Sequence, residues 1–154
     1  MQETAEYIKT EKIALRLIAR AEQCSCGLAL KLEKRKCDPA SIGEVISRLI
    51  ELKLIDDSRF ARLWLESRIR LTRSPRQLLS SLCARGIDQD DAKAAVSSVL
   101  DEEGEASLIA RFVKKHARKA GRKNSGEDSA RSLKYLLKNE GFSIAAIKKF
   151  LDEE

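Results

Sequence analysis

A concentration of arginine is the feature of this sequence that most suggests chemistry. Six arginines lie within the eighteen residues from Arg59 to Arg76, and a single acid, Glu66, accompanies them. At about 100° per residue of an α-helix, four of these arginines share one stripe, and the start of the next helix brings a fifth beside it. Guanidinium groups arranged in this way can neutralise phosphates, so the stripe favours a polyanionic partner. The stripe consists of Arg59, Arg62, Arg70, Arg73 and Arg76.

A second concentration of positive charge follows in the last third of the chain. The segment from Arg111 to Lys123 contains seven basic residues and no acid. It carries +7 and the first segment +5, whereas the whole chain has a formal net charge of only +6. This asymmetry indicates directed electrostatics. The basic residues are Arg111, Lys114, Lys115, Arg118, Lys119, Arg122 and Lys123, and the opposite helix face is predicted to hold Ile109, Phe112, Val113, Ala117 and Ala120.

Exposed charge is also the ordinary condition of surface helices, so two other interpretations stay open. The chain could be a general nucleic-acid-binding helical module, or a protein-interaction scaffold whose basic residues only aid solubility. Two tyrosines, Tyr7 and Tyr135, are the aromatic candidates for exposure, and they give little support for base stacking. Any nucleic-acid binding is therefore expected to be salt-sensitive and largely indifferent to sequence.

Catalytic and metal-binding chemistry find no support in the sequence. The lone histidine, His116, lies among apolar positions, and no Gly-rich phosphate loop or activated nucleophile is recognisable. Cys24, Cys26 and Cys37 lack the second ligand pair of a zinc site. We expect buried or half-buried thiols, no metal, no cofactor and no enzymatic activity.

The elements that position these residues are predicted to be helices. With 7 glycines and 2 prolines in 154 residues, the chain has little room for hairpins or long loops. The first residues are polar, and no apolar run approaches the length of a membrane span. An all-α protein of the cytoplasm is the expectation.

Three windows of the sequence, beginning at Cys24, Ser74 and Ser129, align without a gap. Each predicts a helix ended by a glycine-type C-cap, then an apolar residue, an N-cap and a second helix. The shared positions are the leucines Leu28, Leu78 and Leu133, the leucines Leu32, Leu82 and Leu137, the C-caps Lys36, Gly86 and Gly141, and the N-caps Asp38, Asp88 and Ser143.

An amphipathic helix precedes each window, at roughly Thr10–Gln23, Asp57–Leu71 and Gly104–Ala120. The chain is thus predicted to be a tandem array of three three-helix units resembling helix-turn-helix repeats, at residues 1–53, 54–102 and 103–154. Such an array is expected to be elongated and curved. Three complete units have no evident need for a partner subunit, so a monomer is expected.

The helix that carries the first stripe has its own structural signals. Asp56 is a natural N-cap, and Ile55 and Phe60 have the spacing of a hydrophobic staple. Arg68 falls among the apolar positions, so we predict a structural arginine that pairs with a carboxylate or with helix-end carbonyls. Ser74 and Pro75 supply an N-cap and a first-turn proline for the next helix. The residues predicted to pack inward are Phe60, Ala61, Trp64 and Leu71.

These residues resemble the RecX family, the regulatory proteins of the bacterial recombinase RecA. The run LIDDSRFARLWLESRIR, followed by SPRQLLSSLCARGI, is similar to the family's central signature. The likeness extends over about residues 10 to 151 and includes a closing Gly-Phe-Ser at Gly141. The signature positions are Asp56, Asp57, Arg59, Phe60, Ala61, Ser67, Arg68, Pro75, Arg85, Gly86 and Ile87, with Leu28, Lys31 and Leu32 in the first window.

The chain departs from the family pattern at two places. In the first window, Cys24 and Gly27 stand where the family usually has Ser and Glu, and Lys36-Cys37 replaces a glycine-aromatic pair. Before Pro75, the sequence LTRS replaces the usual glycines.

The resemblance implies a role in recombination, DNA repair and the SOS response. RecX-like proteins are helical arrays that bind the RecA–DNA filament in its groove and inhibit strand exchange, ATP hydrolysis and co-protease function. Many also bind DNA directly, single- or double-stranded, and they catalyse nothing themselves. The two basic stripes would then face the DNA or an acidic protein surface of the filament.

Overall fold

The structure is a computed structural model that describes residues 4–120 and 127–153, with the backbone alone described at 102, 103, 118–120, 127 and 128. Within these ranges the chain forms nine α-helices and one 3-10 turn, and no strand. The predicted all-α fold class is confirmed. The helices are α1 (Ala5–Arg20), α2 (Ser25–Lys34), α3 (Pro39–Glu51), α4 (Asp57–Arg68), α5 (Pro75–Ala84), α6 (Gln89–Val99), α7 (Glu102–Ala120), α8 (Glu127–Asn139) and α9 (Ile144–Asp152), and the 3-10 turn is Ile69–Leu71.

The helix starts are set by side-chain oxygens that accept from otherwise unsatisfied backbone N–H groups. Asp38 accepts from Ser41 N at 3.1 Å, as its place in the repeat predicts. In the third window, Ser143 does the same for Ala146 N at 3.2 Å. Asp56 accepts from Arg59 N at 3.1 Å and so caps α4.

The C-terminal turns of α2, α5 and α8 share one geometry. Lys36, Gly86 and Gly141 have φ values of 58°, 87° and 87°. The next residue in each turn donates its N–H to the ninth residue of the window, Leu32, Leu82 or Leu137, at 3.2 Å. This is the Schellman pattern, which satisfies a free carbonyl of the last helical turn. Lys36 therefore adopts the left-handed conformation that glycine adopts at the two equivalent positions.

The described chain folds as two compact units. The first comprises Met1–Leu63 and Leu82–Ala92, and the second comprises Trp64–Ser81 and Lys93–Glu154. The boundaries pass through α4, α5 and α6. The division into three repeats at residues 1–53, 54–102 and 103–154 stays a prediction.

The core of the first unit is formed where α1 packs against α2 and α3. Leu28 and Leu32, one turn apart on α2, are completely buried in it. Burial of such side chains stabilises by about 1.5–3 kcal/mol each. The core consists of Tyr7, Ala14, Leu28, Leu32, Cys37, Ile42, Val45, Leu49 and Ile55.

The start of α2 is completed by a residue from α4. Its N-cap, Cys24, makes no side-chain capping hydrogen bond. The carboxylate of Asp57 instead accepts from Ser25 N and from Ser25 Oγ, each at 2.7 Å. A negative charge at a helix N-terminus also complements the helix dipole. Asp57 thus stabilises α2 across 32 positions of sequence.

The second unit packs α7 and α8 against α9. The Phe112 ring lies edge-on to Phe142 and to His116, with ring centroids 5.6 Å and 4.2 Å apart. His116 is therefore a packing histidine. Ala117, which was predicted to face inward, is exposed. The reason is length, because α7 has 19 residues and α9 only 9, so α9 cannot cover the last turns of α7.

The end of α4 differs from the prediction of a helix through Leu71. The α-helix ends at Arg68 and tightens into the 3-10 turn, after which Thr72 has φ 51°. A 3-10 turn advances about 120° per residue, so the predicted helical stripe loses its phase there. Leu71, expected inside, is 48% exposed, while Leu65 is 1% exposed.

The four cysteines are free, and they divide into two pairs. Cys24 and Cys37 are buried, as expected, whereas Cys26 and Cys83 are exposed, so the expectation of buried or half-buried thiols is wrong for these two. Burial raises the pKa of the Cys24 thiol, and the negative charge of Asp57 raises it further against a lowering by the Gly27 N–H.

Candidate nucleic-acid interface

The cations of α7 form the clearest basic face in the described chain. Arg111, Lys114 and Lys115 are exposed. On the opposite side of the helix, Ile109 and Phe112 are 0% and 3% exposed and anchor it to the second unit. The side chains of Arg118 and Lys119, and the residues Arg122 and Lys123, lie outside the described part of the chain.

No carboxylate neutralises these three cations within residues 4–120 and 127–153. The ion pairs found there are Lys9 with Glu6 and Arg59 with Glu22. Unpaired, exposed ammonium and guanidinium groups are available to phosphates, and their contacts would weaken with salt.

A second group of arginines surrounds the start of α5. Arg70 and Arg76 are exposed, and Arg73 is partly buried. Arg76 is held in place through its backbone, since its N–H donates to the carbonyl of Glu140 at 3.0 Å. All of these residues belong to the second compact unit.

The α5 start that carries Arg76 is rigidly capped. Ser74 Oγ accepts from Gln77 N at 3.2 Å, and Ser74 N donates to Gln77 Oε1 at 3.1 Å. This reciprocal pair is a capping box, and its Ser-x-x-Gln spacing can be recognised in sequence. The Ser74 hydroxyl also donates to Glu140 Oε2 at 2.6 Å. Pro75 occupies the first helical position.

Arg59 differs from its neighbours on the predicted stripe, because intramolecular contacts occupy its side chain. Its Nε donates to Glu22 Oε1 at 2.7 Å. Its two terminal nitrogens donate to the carbonyls of Lys53 and Leu54 at 3.4 Å. It therefore ties the start of α4 to the chain beyond α3. Arg62, one turn further along α4, is exposed.

The predicted single stripe is thus distributed over the two compact units. Arg59 and Arg62 lie in the first, and Arg70, Arg73 and Arg76 lie in the second.

Arg68 has a different partner from the one expected. Its guanidinium carbon lies 5.6 Å from the centroid of the Trp64 ring, one turn earlier on α4. This distance is typical of a cation–π contact, which contributes about 0.5–1 kcal/mol at an exposed site. No ion pair of Arg68 with a carboxylate is found among the described residues. Both side chains are partly buried, in agreement with a structural role.

The two aromatic residues considered for base stacking have opposite environments. Tyr7 is 8% exposed and belongs to the core of the first unit, so it cannot stack on a base. Tyr135, on α8, is 69% exposed. The expectation that both are exposed is wrong for Tyr7 because α1 begins at Ala5, earlier than predicted, and Tyr7 belongs to the same core as Val45 and Leu49 of α3.

A groove of about 1040 Å³ lies beside α3 in the first unit. Its lining includes Tyr7, Glu44, Arg48 and Glu51, and its Ser41 hydroxyl is engaged with Asp38 at 3.2 Å. In the part of the chain that the structure describes, no three His, Cys, Asp or Glu side chains come together as metal ligands. No helix in that part is long and apolar enough to cross a membrane.

Sequence comparisons identify relatives along nearly the whole chain. A family model described as "RecX, second three-helix domain" matches residues 56–96. The Regulatory protein RecX of Treponema pallidum (strain Nichols) is 31% identical over 147 residues, which cover 95% of this chain and 85% of that protein. The Regulatory protein RecX of Thermobifida fusca is 31% identical over 151 residues, with coverages of 96% and 80%.

Solved structures show the same fold. RecX from Lactobacillus salivarius superposes with a TM-score of 0.72 at 22% identity over 96% of both chains. A second crystal structure, of regulatory protein RecX, superposes with a TM-score of 0.78 at 19% identity, over 96% of this chain and 72% of the other. With identity above 30% along most of two relatives' length, this chain belongs to the RecX family of regulatory proteins.

Proposed function

We propose that this protein regulates the RecA recombinase, mainly as an inhibitor, by binding the RecA–DNA filament. The observation that carries the proposal is the family relationship, which extends over 95% of the chain at 31% identity to a protein named Regulatory protein RecX. In this role it lowers strand exchange, ATP hydrolysis and co-protease activity of RecA. It acts in the cytoplasm as a monomer and catalyses no reaction itself.

Direct DNA contact is the second part of the proposal. The exposed, unpaired cations Arg111, Lys114 and Lys115 on α7 support it, since such a face can release counterions from a phosphate backbone. Arg70 and Arg76 in the second unit, and Arg62 in the first, are further contacts of the same chemistry. Binding to single- or double-stranded DNA is then independent of base sequence and falls as salt rises.

The test is ATP hydrolysis by the cognate RecA on single-stranded DNA, titrated with this protein at two salt concentrations. A filament-directed regulator inhibits at amounts well below one molecule per RecA monomer. Inhibition that begins only when the protein is abundant enough to coat the DNA would instead indicate a general nucleic-acid-binding module. A triple variant, Arg111→Ser with Lys114→Ser and Lys115→Ser, separates DNA contact from protein contact. Its DNA affinity should fall, whereas a pure protein-interaction scaffold would be indifferent to the change.

A further inference from the structure

A third basic face lies on α8, outside both predicted stripes. Arg131, Lys134, Tyr135 and Lys138 are spaced i, i+3, i+4 and i+7, so they share one side of the helix. All four side chains are exposed. Tyr135 is 69% exposed, more than any other large apolar or aromatic side chain of the described chain.

The opposite side of α8 fixes this face in the second unit. Leu137 is completely buried and Leu133, one turn earlier, is partly buried. The helix packs against α9, and the Schellman turn at Gly141 ends it. The face therefore belongs to a packed helix, and a ligand would meet it with little ordering of the backbone.

The face is cationic and carries one aromatic ring about halfway along its length. Arg131, Lys134 and Lys138 have no ion pair with a carboxylate among the described residues. Tyr135 lies between Lys134 and Lys138, within one helical turn of both. Cations that follow a phosphate backbone, combined with an exposed aromatic side chain, are the two components of single-strand binding surfaces.

We infer that the α8 face binds single-stranded DNA, with its three cations on phosphates and the Tyr135 ring stacked on an unpaired base. Bases in a duplex are stacked on one another and cannot offer a face to a protein ring without being extruded. The face should therefore favour single-stranded over double-stranded DNA, which phosphate contacts alone would not do. The choice of DNA as the polymer rests on the proposed function.

The deciding experiment compares oligothymidylate with an abasic oligonucleotide of the same length and charge. Because the abasic strand keeps the phosphates and lacks the bases, only contacts to the bases distinguish the two, and the Tyr135 variants isolate stacking among these contacts. The wild-type protein should bind oligothymidylate more tightly. Tyr135→Ala should lower this affinity about 5- to 100-fold and leave the abasic affinity unchanged, while Tyr135→Phe should behave like the wild type. The exposed position makes both variants compatible with the native core, which circular dichroism would verify.

The cations are tested by the salt dependence of the same binding. Lys134→Ala should weaken both oligonucleotides alike and reduce the slope of log K against log salt by about 0.7, the value for one single-strand phosphate. Lys93→Ala is the matched control, since Lys93 is an exposed lysine on α6 close in sequence to Asp90 and Asp91. It should change neither affinity nor slope.

Several results would overturn the inference. Equal binding of the two oligonucleotides by the wild type, or full oligothymidylate affinity of Tyr135→Ala, would eliminate stacking. A Tyr135→Phe variant as weak as Tyr135→Ala would assign the effect to the hydroxyl. If Tyr135→Ala lost RecA inhibition with DNA binding intact, the face would be a protein contact. The proposed function is judged separately by the RecA assay, so stacking without inhibition would refute that function alone.

Discussion

Gly86 lies so close to Cys26 that a β-carbon on Gly86 would be 2.4 Å from the Cys26 β-carbon. The contact joins the C-terminal turn of α5 to the first turn of α2. The second unit contains its counterpart, since a β-carbon on Gly141, which ends α8, would be 3.3 Å from Arg76 N in the first turn of α5. Glycine at these positions serves both a positive φ and a close approach between two helix ends.

Gly86→Ala should be strongly destabilising. The left-handed conformation costs an alanine about 1–2 kcal/mol, and overpacking against Cys26 adds about 1–3 kcal/mol. Urea denaturation followed by circular dichroism measures the loss. Gly43→Ala is the control, because Gly43 lies within α3 with no atom near a new β-carbon. It should raise stability by about 0.5–1 kcal/mol, and equal effects of the two substitutions would contradict the packing described.

Lys36→Gly should stabilise the protein. Lys36 has φ 58° in the turn where Gly86 and Gly141 have φ 87°, and its side chain is exposed, so nothing is lost in packing. Relief of the left-handed conformation should contribute about 1 kcal/mol, seen as a higher urea midpoint. A destabilised Lys36→Gly variant would show that the lysine side chain makes a contact that outweighs its backbone strain.

Asp57→Ala should loosen the start of α2 although Asp57 belongs to α4. Two charge-assisted hydrogen bonds to Ser25 are lost, and we expect the free energy of unfolding to fall by about 1–3 kcal/mol. Amide hydrogen exchange should rise first at Ser25 and its neighbours. Asp91→Ala removes an exposed carboxylate from the first turn of α6 and should cost under about 1 kcal/mol. Similar losses for both would mean that only the helix dipole matters.

Arg59→Ala and Arg62→Ala should separate stability from DNA binding. Arg59 bonds Glu22 and two backbone carbonyls, so its loss should lower stability by about 1 kcal/mol. Arg62→Ala, one turn away at an exposed position, should leave stability within about 0.5 kcal/mol and reduce DNA affinity instead. Parallel denaturation and DNA-binding titrations check both. A larger loss of stability at Arg62 would contradict the assignment.

The cysteines should divide into two fast and two slow thiols on alkylation. Cys26 and Cys83 are exposed and react in the native state, whereas Cys24 and Cys37 are buried and react only on opening. Because burial raises the pKa of Cys24, the folded state prefers its neutral thiol. This contribution to stability is complete below the ordinary thiol pKa of about 8.5 and is lost as pH rises through the higher folded value. Mass spectrometry of labelled peptides at two pH values would show fast labelling of Cys24 if the assignment were wrong.

Local features of the helices could be predicted because their hydrogen bonds close within a few residues. The cap at Ser143 and the turn at Gly141 depend on neighbours three to five positions away, which the sequence displays directly. The basic face of α7 was predictable for the same reason, since Ile109 and Phe112 define its buried side by spacing alone.

Features that depend on distant elements could not be predicted. The burial of Tyr7 depends on α3. The Arg59 side chain is engaged by a hydrogen bond to Glu22, which is 37 positions away. Leu71 was misplaced because the 3-10 turn changed the helical phase, and Ala117 because α9 is short. The basic face of α8 was not predicted from the sequence, because its three cations are spread among apolar residues and form no conspicuous run.

The hydrogen bonds at the start of α2 have a consequence for the order in which the chain folds during its synthesis. Ser25 donates to Asp57, which lies 32 positions later in the sequence. The Cys24 thiol donates to the carbonyl of Arg85, 61 positions later, at 3.6 Å. During synthesis the start of α2 therefore emerges from the ribosome before Asp57 and Arg85 do. The core residues of α1 to α3 can pack together early. The hydrogen bonds at the N-terminus of α2 are complete only when the second window has emerged.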